Sequence, residues 1–226
     1  MTPFTATDYP GKLAAVVFVQ GCPLRCGYCH NPHLQPRTAA SPLHWSRVLS
    51  LLTRRVGLID AVVFSGGEPT IDPALEDAIH DVRELGFTVG LHTAGVYPVR
   101  LAEILNLVDW VGLDIKAPFD DYERITAVSD SGRQALASAE AILASGVTHE
   151  FRTTIHPGLL DERDLLSLAT TLSGMGVQDY ALQVFRPQGC RDAGLNAMTA
   201  AGYPSSEVVS RIAPLFPRFT LRQANH

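Results

Sequence analysis

Lysine is almost missing from this chain: Lys12 and Lys116 are the only two, and the remaining basic side chains are arginines. The longest basic cluster is Arg54-Arg55, and the net charge is −5. A surface that tracks phosphates needs a basic stripe, so both facts argue against a nucleic-acid partner. No apolar run approaches the roughly 18 residues that cross a bilayer, which argues against a membrane partner. The start, Met1-Thr2-Pro3-Phe4, has neither the charged region nor the apolar core of an export signal, so a cytoplasmic location is expected. Cysteine is scarce too, at four residues. In a reducing compartment these are expected as thiolate ligands or free thiols, not as disulfides.

What is present describes a folded chain. Of 226 residues, 46% are apolar and 18% charged, a mix that excludes intrinsic disorder. The 18 glycines and 15 prolines are scattered, which excludes collagen-like repeats. A chain of this length buries roughly 70–75% of its unfolded surface, enough for one sizeable core. Short Val-rich runs at 13–20, 60–65, 87–92, 110–116, 150–155 and 180–185 read as strands buried on both faces, the mark of a parallel sheet. Segments of helical period alternate with them. Asp72-Pro73 is expected to open one helix and Pro98 a second; 133–145 is a third, and Asp161 caps a fourth. Segments 43–56 and 205–213 supply two more. About six βα units result, expected as a single α/β domain over 1–226, with its core at about 13–190 and a C-terminal helix and tail over 191–226. Pattern alone does not separate a doubly wound sheet from a partial barrel.

Directly after the first predicted strand comes Cys22-Pro-Leu-Arg-Cys26-Gly-Tyr-Cys29, three thiols within eight residues. Thiolates prefer zinc, Cu(I) or iron–sulfur clusters. Three readings compete at this point. A structural zinc site would recruit His30 or His33 as its fourth ligand. A four-cysteine cluster carrier would need Cys190, far off in sequence. A [4Fe–4S] cluster with one iron left open would need only the three.

Further polar groups fall at predicted strand ends. Ser65-Gly66-Gly67-Glu68 follows the second strand, where glycines allow close backbone approach and Glu68 offers an acceptor; alternatively it is a plain turn with a surface carboxylate. Asp114-Ile115-Lys116 ends the fourth. Its two charges are costly there unless they pair with each other or serve a ligand. Thr93 and Gly95 lie beyond the third strand, beside His92 and Ala94. Arg152 and Thr154 on the fifth, with Gln183 and Arg186 near the sixth, are candidate groups at a barrel mouth.

The cysteine spacing, with Tyr28 as the aromatic before Cys29, resembles the radical S-adenosylmethionine (radical SAM) superfamily. The Gly-Gly-Glu run in the next βα unit strengthens that resemblance. Asp8-Tyr9-Pro10-Gly11-Lys12 and Cys29-His30-Asn31-Pro32 are similar to one branch, the activating proteins of anaerobic ribonucleoside-triphosphate reductase, close to the pyruvate formate-lyase activating enzymes. The resemblance implies an α/β fold, a partial (βα)6 TIM-like barrel with its chemistry at the C-terminal strand ends. It implies Cys22, Cys26 and Cys29 as catalytic ligands of a [4Fe–4S] cluster. S-adenosylmethionine would be held by Tyr28, Gly66, Gly67, Glu68, Thr93, Asp114, Lys116, Arg152 and Gln183, with Glu68 taking its amino group. Reductive cleavage would then yield a 5′-deoxyadenosyl radical that takes hydrogen from a glycine of a glycyl radical enzyme. A flavodoxin- or ferredoxin-type reductant would supply the electron. Activases often show Asp-Thr-Asn-Gly where this chain has His92-Thr93-Ala94-Gly95, which bears on any cation site built on the missing Asp and Asn. Once the loop takes three thiols only Cys190 is left, so no auxiliary cluster is expected. Two alternatives stand beside the activase: a radical SAM enzyme acting on another peptide or a small molecule, and a non-catalytic zinc or iron–sulfur protein.

Overall fold

The six Val-rich runs all form strands. In a computed structural model that describes residues 1–38, 41 and 43–223, they are β2 (Ala14–Val19), β3 (Ala61–Gly66), β4 (Thr88–Thr93), β5 (Trp110–Asp114), β6 (Thr148–Ile155) and β7 (Asp179–Val184). Two unpredicted strands flank them, β1 (Thr2–Thr5) and β8 (Arg218–Arg222). The eight lie in sequence order in one sheet, β1 antiparallel to β2 and all later neighbours parallel. An open parallel sheet in sequence order, with a helical crossover after each of most strands, is the partial barrel expected from the resemblance, extended by one strand at each edge.

The crossovers are α1 (Trp45–Thr53), α2 (Leu75–Glu84), α3 (Pro98–Ile104), α4 (Tyr122–Thr126), α5 (Ser131–Ser145) and α6 (Glu162–Gly174). Their apolar faces cover the convex side of the sheet: Leu52, Ile79, Leu101, Ile142 and Leu168 pack there with Val62, Leu91, Leu113 and Phe151. Asp161 caps α6 as expected, accepting from the N–H groups of Arg163 and Asp164 while Asp164 returns a bond to the Asp161 N–H. Asp72 does not cap α2 directly. Residues 69–71 form a short 3₁₀ turn, Asp72 accepts from the Ala74 N–H, and the helix starts at Leu75.

The concave side carries a second, smaller cluster: Tyr9, Ala14, Val16, Ala61, Val63 and Trp110. Tyr9 and Trp110 stack there with ring centroids 5.2 Å apart. This apolar layer floors the barrel and leaves the space above it, at the C-terminal strand ends, for polar groups. Residues beyond 190 are more than a helix and tail. They form α7 (Ala193–Ala197), α8 (Ser206–Ile212) and β8. β8 is fixed by ladder bonds to β7 and by ion pairs of Arg218 with Asp179 and of Arg222 with Glu150. Among the described residues no helix is long and apolar enough to cross a membrane.

Candidate functional site

A cavity of about 730 Å³ opens above the apolar floor. That is the size of a pocket for a nucleoside-sized ligand. The cysteine loop, the end of β3, the ends of β4 to β7 and the last residues of β8 wall it.

The cysteine loop and the Gly-Gly-Glu turn form one backbone-bonded unit. The Gly67 N–H donates to the Val19 carbonyl (2.9 Å) and the Glu68 N–H to the Gly21 carbonyl (2.8 Å). Gly21 and Cys22 in turn donate to the carbonyls of Leu34 and Gln35 at 2.8 and 3.0 Å, closing the loop on itself. A side chain at position 67 would put its Cβ inside the Gly21 carbonyl oxygen. The glycine is therefore demanded by this crossing of two backbones, and the pair Gly66-Gly67 presents bare main chain to the cavity.

Glu68, expected to take a ligand's amino group, is not among the residues that line the cavity. It is fully buried. Its Oε1 accepts from the Thr70 N–H and from the hydroxyls of Thr70 and Thr93, and Oε2 accepts from the Ala94 N–H at 2.8 Å. The Thr93 hydroxyl is likewise occupied, donating to Glu68 at 2.7 Å and accepting from the Gly95 N–H at 2.9 Å. Both residues tie the β3 turn to the β4 turn and fix the backbone between them.

Asp114 and Lys116 both line the cavity but do not pair with each other. Lys116 runs toward the cysteine loop, its Nζ 3.5 Å from the Tyr28 hydroxyl and 5.6 Å from the centre of that ring. Burial works against its charge, yet Tyr28, Cys26 and Asp114 outweigh this and hold its pKa well above the ordinary value. Asp114 pairs instead with Arg152, whose Nε donates to Oδ1 at 3.0 Å. Burial would raise the Asp114 pKa; Arg152 and Lys116 more than cancel that, and the net direction is down. The geometry explains the partner choice: Arg152 stands directly across the β5–β6 ladder from Asp114.

Cys22, Cys26 and Cys29 are half-buried free thiols, and all three line the cavity. Burial, with Glu68 behind it, pushes the Cys22 thiol up to about 11, and burial raises Cys26 as well. Metal binding here must displace protons. Among the described residues no three of His, Cys, Asp and Glu converge closely enough to hold one metal ion. A single zinc ion needs such convergence; a cubane cluster, whose irons stand apart, takes thiolates set wider. His30 also lines the cavity, and its buried Nε2 has no hydrogen-bond partner among the described residues. Cys190 is buried beneath the loop, its thiol donating to the Gly27 carbonyl at 3.4 Å.

Of the mouth groups read from sequence, Arg152, Thr154, Gln183 and Arg186 all line the cavity. Arg222 and Gln223, at the end of β8, were missed. Alternation in Arg218-Phe-Thr-Leu-Arg222, after Pro217, was the available signal for that strand.

Residues 16–169 match the radical SAM superfamily. The chain belongs to that superfamily. It is 32% identical over 197 residues to a protein of Methanocaldococcus jannaschii assigned as a glycyl-radical enzyme activating enzyme, covering 82% of this chain and 78% of the relative. It is 36% identical over 163 residues to the pyruvate formate-lyase-activating enzyme of Clostridium pasteurianum, covering 70% and 67%. Among solved structures it is similar to Streptococcus suis SuiB bound to its precursor peptide SuiA, with a TM-score of 0.73 at 13% identity. That likeness, one of fold, covers 92% of this chain and 48% of SuiB, so this chain spans about half its length. This radical SAM protein is thus an enzyme of the glycyl-radical activating kind, and its family works with a [4Fe–4S] cluster and S-adenosylmethionine. The donor set fits: three thiols on one loop, a lysine beside them, and bare glycine backbone lining the same cavity.

Proposed function

We propose that this protein installs the glycyl radical on anaerobic ribonucleoside-triphosphate reductase. In this reading Cys22, Cys26 and Cys29 would hold a [4Fe–4S] cluster with one iron left open. When bound, it would supply the electron for reductive cleavage of S-adenosylmethionine. The Gly66-Gly67 main chain, which lines the cavity, receives the ligand's ammonium. Lys116, Arg152 and Gln183 face its polar groups, Asp114 its hydroxyls, and Tyr28 packs behind the cysteine loop. A flavodoxin- or ferredoxin-type carrier reduces the cluster, in the cytoplasm. The chain acts as one radical SAM domain, and the partner's glycine loop enters the open barrel.

One observation carries the reading: the cysteine loop, the Gly-Gly-Glu turn and the Asp114–Lys116 strand end, scattered over 95 positions of sequence, meet around a single cavity. The branch rests on the runs at 8–12 and 29–32, and on relatives that share the activating role.

The test is anaerobic reconstitution followed by electron paramagnetic resonance with and without S-adenosylmethionine. A reduced cluster signal that shifts on addition supports the open iron. Mixing with the anaerobic reductase should then give a glycine-centred radical doublet and 5′-deoxyadenosine. Ligand cleavage without a doublet on the reductase would reject this partner and favour a different peptide or small-molecule substrate. A signal that ignores the ligand, or zinc in place of iron, would reject the reading altogether.

A further inference from the structure

The activases that this sequence resembles often place a carboxylate at the position of His92, and two carboxylates facing each other there would call for a cation between them. The residues here do not fit a metal cation. His92 Nε2 lies 2.7 Å from the Asp8 carbonyl, so the ring's proton sits on that nitrogen and donates to it. Its Nδ1 faces the Ser65 hydroxyl at 3.4 Å. Burial and the adjacent Arg152 hold the ring neutral, pushing its pKa down to about 4. Ala94 has no side-chain oxygen, and its N–H is committed to Glu68. Of the carboxylates that line the cavity, Asp8 accepts from the Thr5 hydroxyl, and Asp114 already has a guanidinium against it.

That guanidinium is tightly built in. Arg152 is buried, with Nε and Nη2 both 3.0 Å from Asp114 Oδ1 and Nη2 3.3 Å from the Gly112 carbonyl. Its plane lies 5.9 Å over the Trp110 ring. The strand leaves room for it by having no side chain at Gly112, where a Cβ would come within 2.8 Å of Arg152 Cζ. Nη1 points at His92 Nε2 from 3.3 Å, but that nitrogen is already a donor to the Asp8 carbonyl, so Nη1 finds no acceptor there.

We infer that Arg152 is the resident cation of this site: it holds Asp114 ionised and oriented, so that S-adenosylmethionine binds without any added monovalent metal ion. The inference rests on the proposed function, and it gives Arg152, besides its place facing the ligand, a positioning role through Asp114. A covalently tethered cation of fixed geometry is always present, where a free ion would have to be recruited from solution.

The test measures equilibrium binding of S-adenosylmethionine to the anaerobically reconstituted protein in potassium, sodium and tetramethylammonium chloride at equal ionic strength. The affinities should agree within about twofold, since tetramethylammonium cannot enter an oxygen-lined metal site. Arg152→Ala should lose roughly tenfold or more in affinity, as expected for removing a charge-assisted contact. Guanidinium or potassium ions, added back, should restore part of it. A wild-type affinity that rises saturably with potassium would overturn the inference, and so would an Arg152→Ala protein that binds as the wild type does. The wild-type salt series decides the matter even if the variant misfolds. A protein that takes up cluster but binds no S-adenosylmethionine in any salt overturns the proposed function, and this inference with it.

Discussion

The two walls of the cavity are held in different ways. On the β2–β4 side, loops meet backbone to backbone: Gly67 and Glu68 donate to Val19 and Gly21, and a buried Glu68 carboxylate gathers four donors from the β3 and β4 turns. On the β5–β8 side, side chains do the joining, through Asp114 with Arg152, Glu150 with Arg222 and Asp179 with Arg218. Backbone crossings tolerate no added atom and are not screened by salt. Ion pairs between long side chains adjust to small shifts and weaken as solvent reaches them. The first wall can therefore fix a cluster loop rigidly, while the second can shape itself around a ligand or a partner's peptide.

Gly67→Ala strikes the rigid wall where it has least room, and the largest effect is expected there. The new Cβ would overlap the Gly21 carbonyl oxygen, so the two loops must part. Overpacking against backbone should cost on the order of 3 kcal/mol in denaturant-measured stability. Iron retained after reconstitution should fall below about half of the wild-type level, because Gly21 immediately precedes Cys22. Full iron loading in this variant would show that the cysteine loop does not depend on the Gly-Gly-Glu turn, and the contrast between the walls would collapse.

Where the walls meet, His92 gives a pH signature of intermediate size. Its ring is enclosed by the Asp8 carbonyl, Ser65, Arg152, Trp110 and, through Arg152, Asp114. Burial, with Arg152 next to it, depresses the native pKa to about 4 from 6.5. The unfolded chain therefore takes up a proton first as the pH falls. The stability this group contributes is complete above about 6.5 and drains away as pH drops toward 4. Between pH 7 and 5 the loss should be about 2 kcal/mol. His92→Gln should remove that part of the slope, in thermal or urea unfolding followed over the same range. An unchanged slope would mean that the ring is not held neutral and that Arg152 does not face it as described.

The rigid wall was legible in the sequence and the adjustable one much less so. Thiol spacing, paired glycines and a charged strand end are local signals, each with its chemistry inside a few residues. The sheet was legible for the same reason, since Val-rich runs such as 13–20 and 60–65 need no distant partner to be recognised. The part that escaped depends on register. Nothing near Glu150 or Arg222 in sequence says that two strands will bring them together, and nothing near Asp114 says that Arg152, not Lys116, will stand across the ladder from it. Glu68 shows the same limit from the other side. Its motif was plain, but which way its carboxylate turned was decided by Thr70, Thr93 and Ala94.

Arg222→Gln probes the adjustable wall and should have the smallest effect. The pair with Glu150 has two bonds, at 2.8 and 2.7 Å, but Arg222 keeps about a third of its side chain exposed while Glu150 is nearly covered. Solvent screening cuts the worth of such a pair, and glutamine can still donate one bond to the carboxylate. The expected loss is therefore about 1 kcal/mol or less, with iron content unchanged. The gap between variant and wild type should narrow further at high salt, since screening already takes from the wild type what the substitution removes. Loss of iron in this variant would be the more instructive result. It would mean that strain on β8 travels through β6 and Arg152 to the cysteine loop, and that the two walls respond as one.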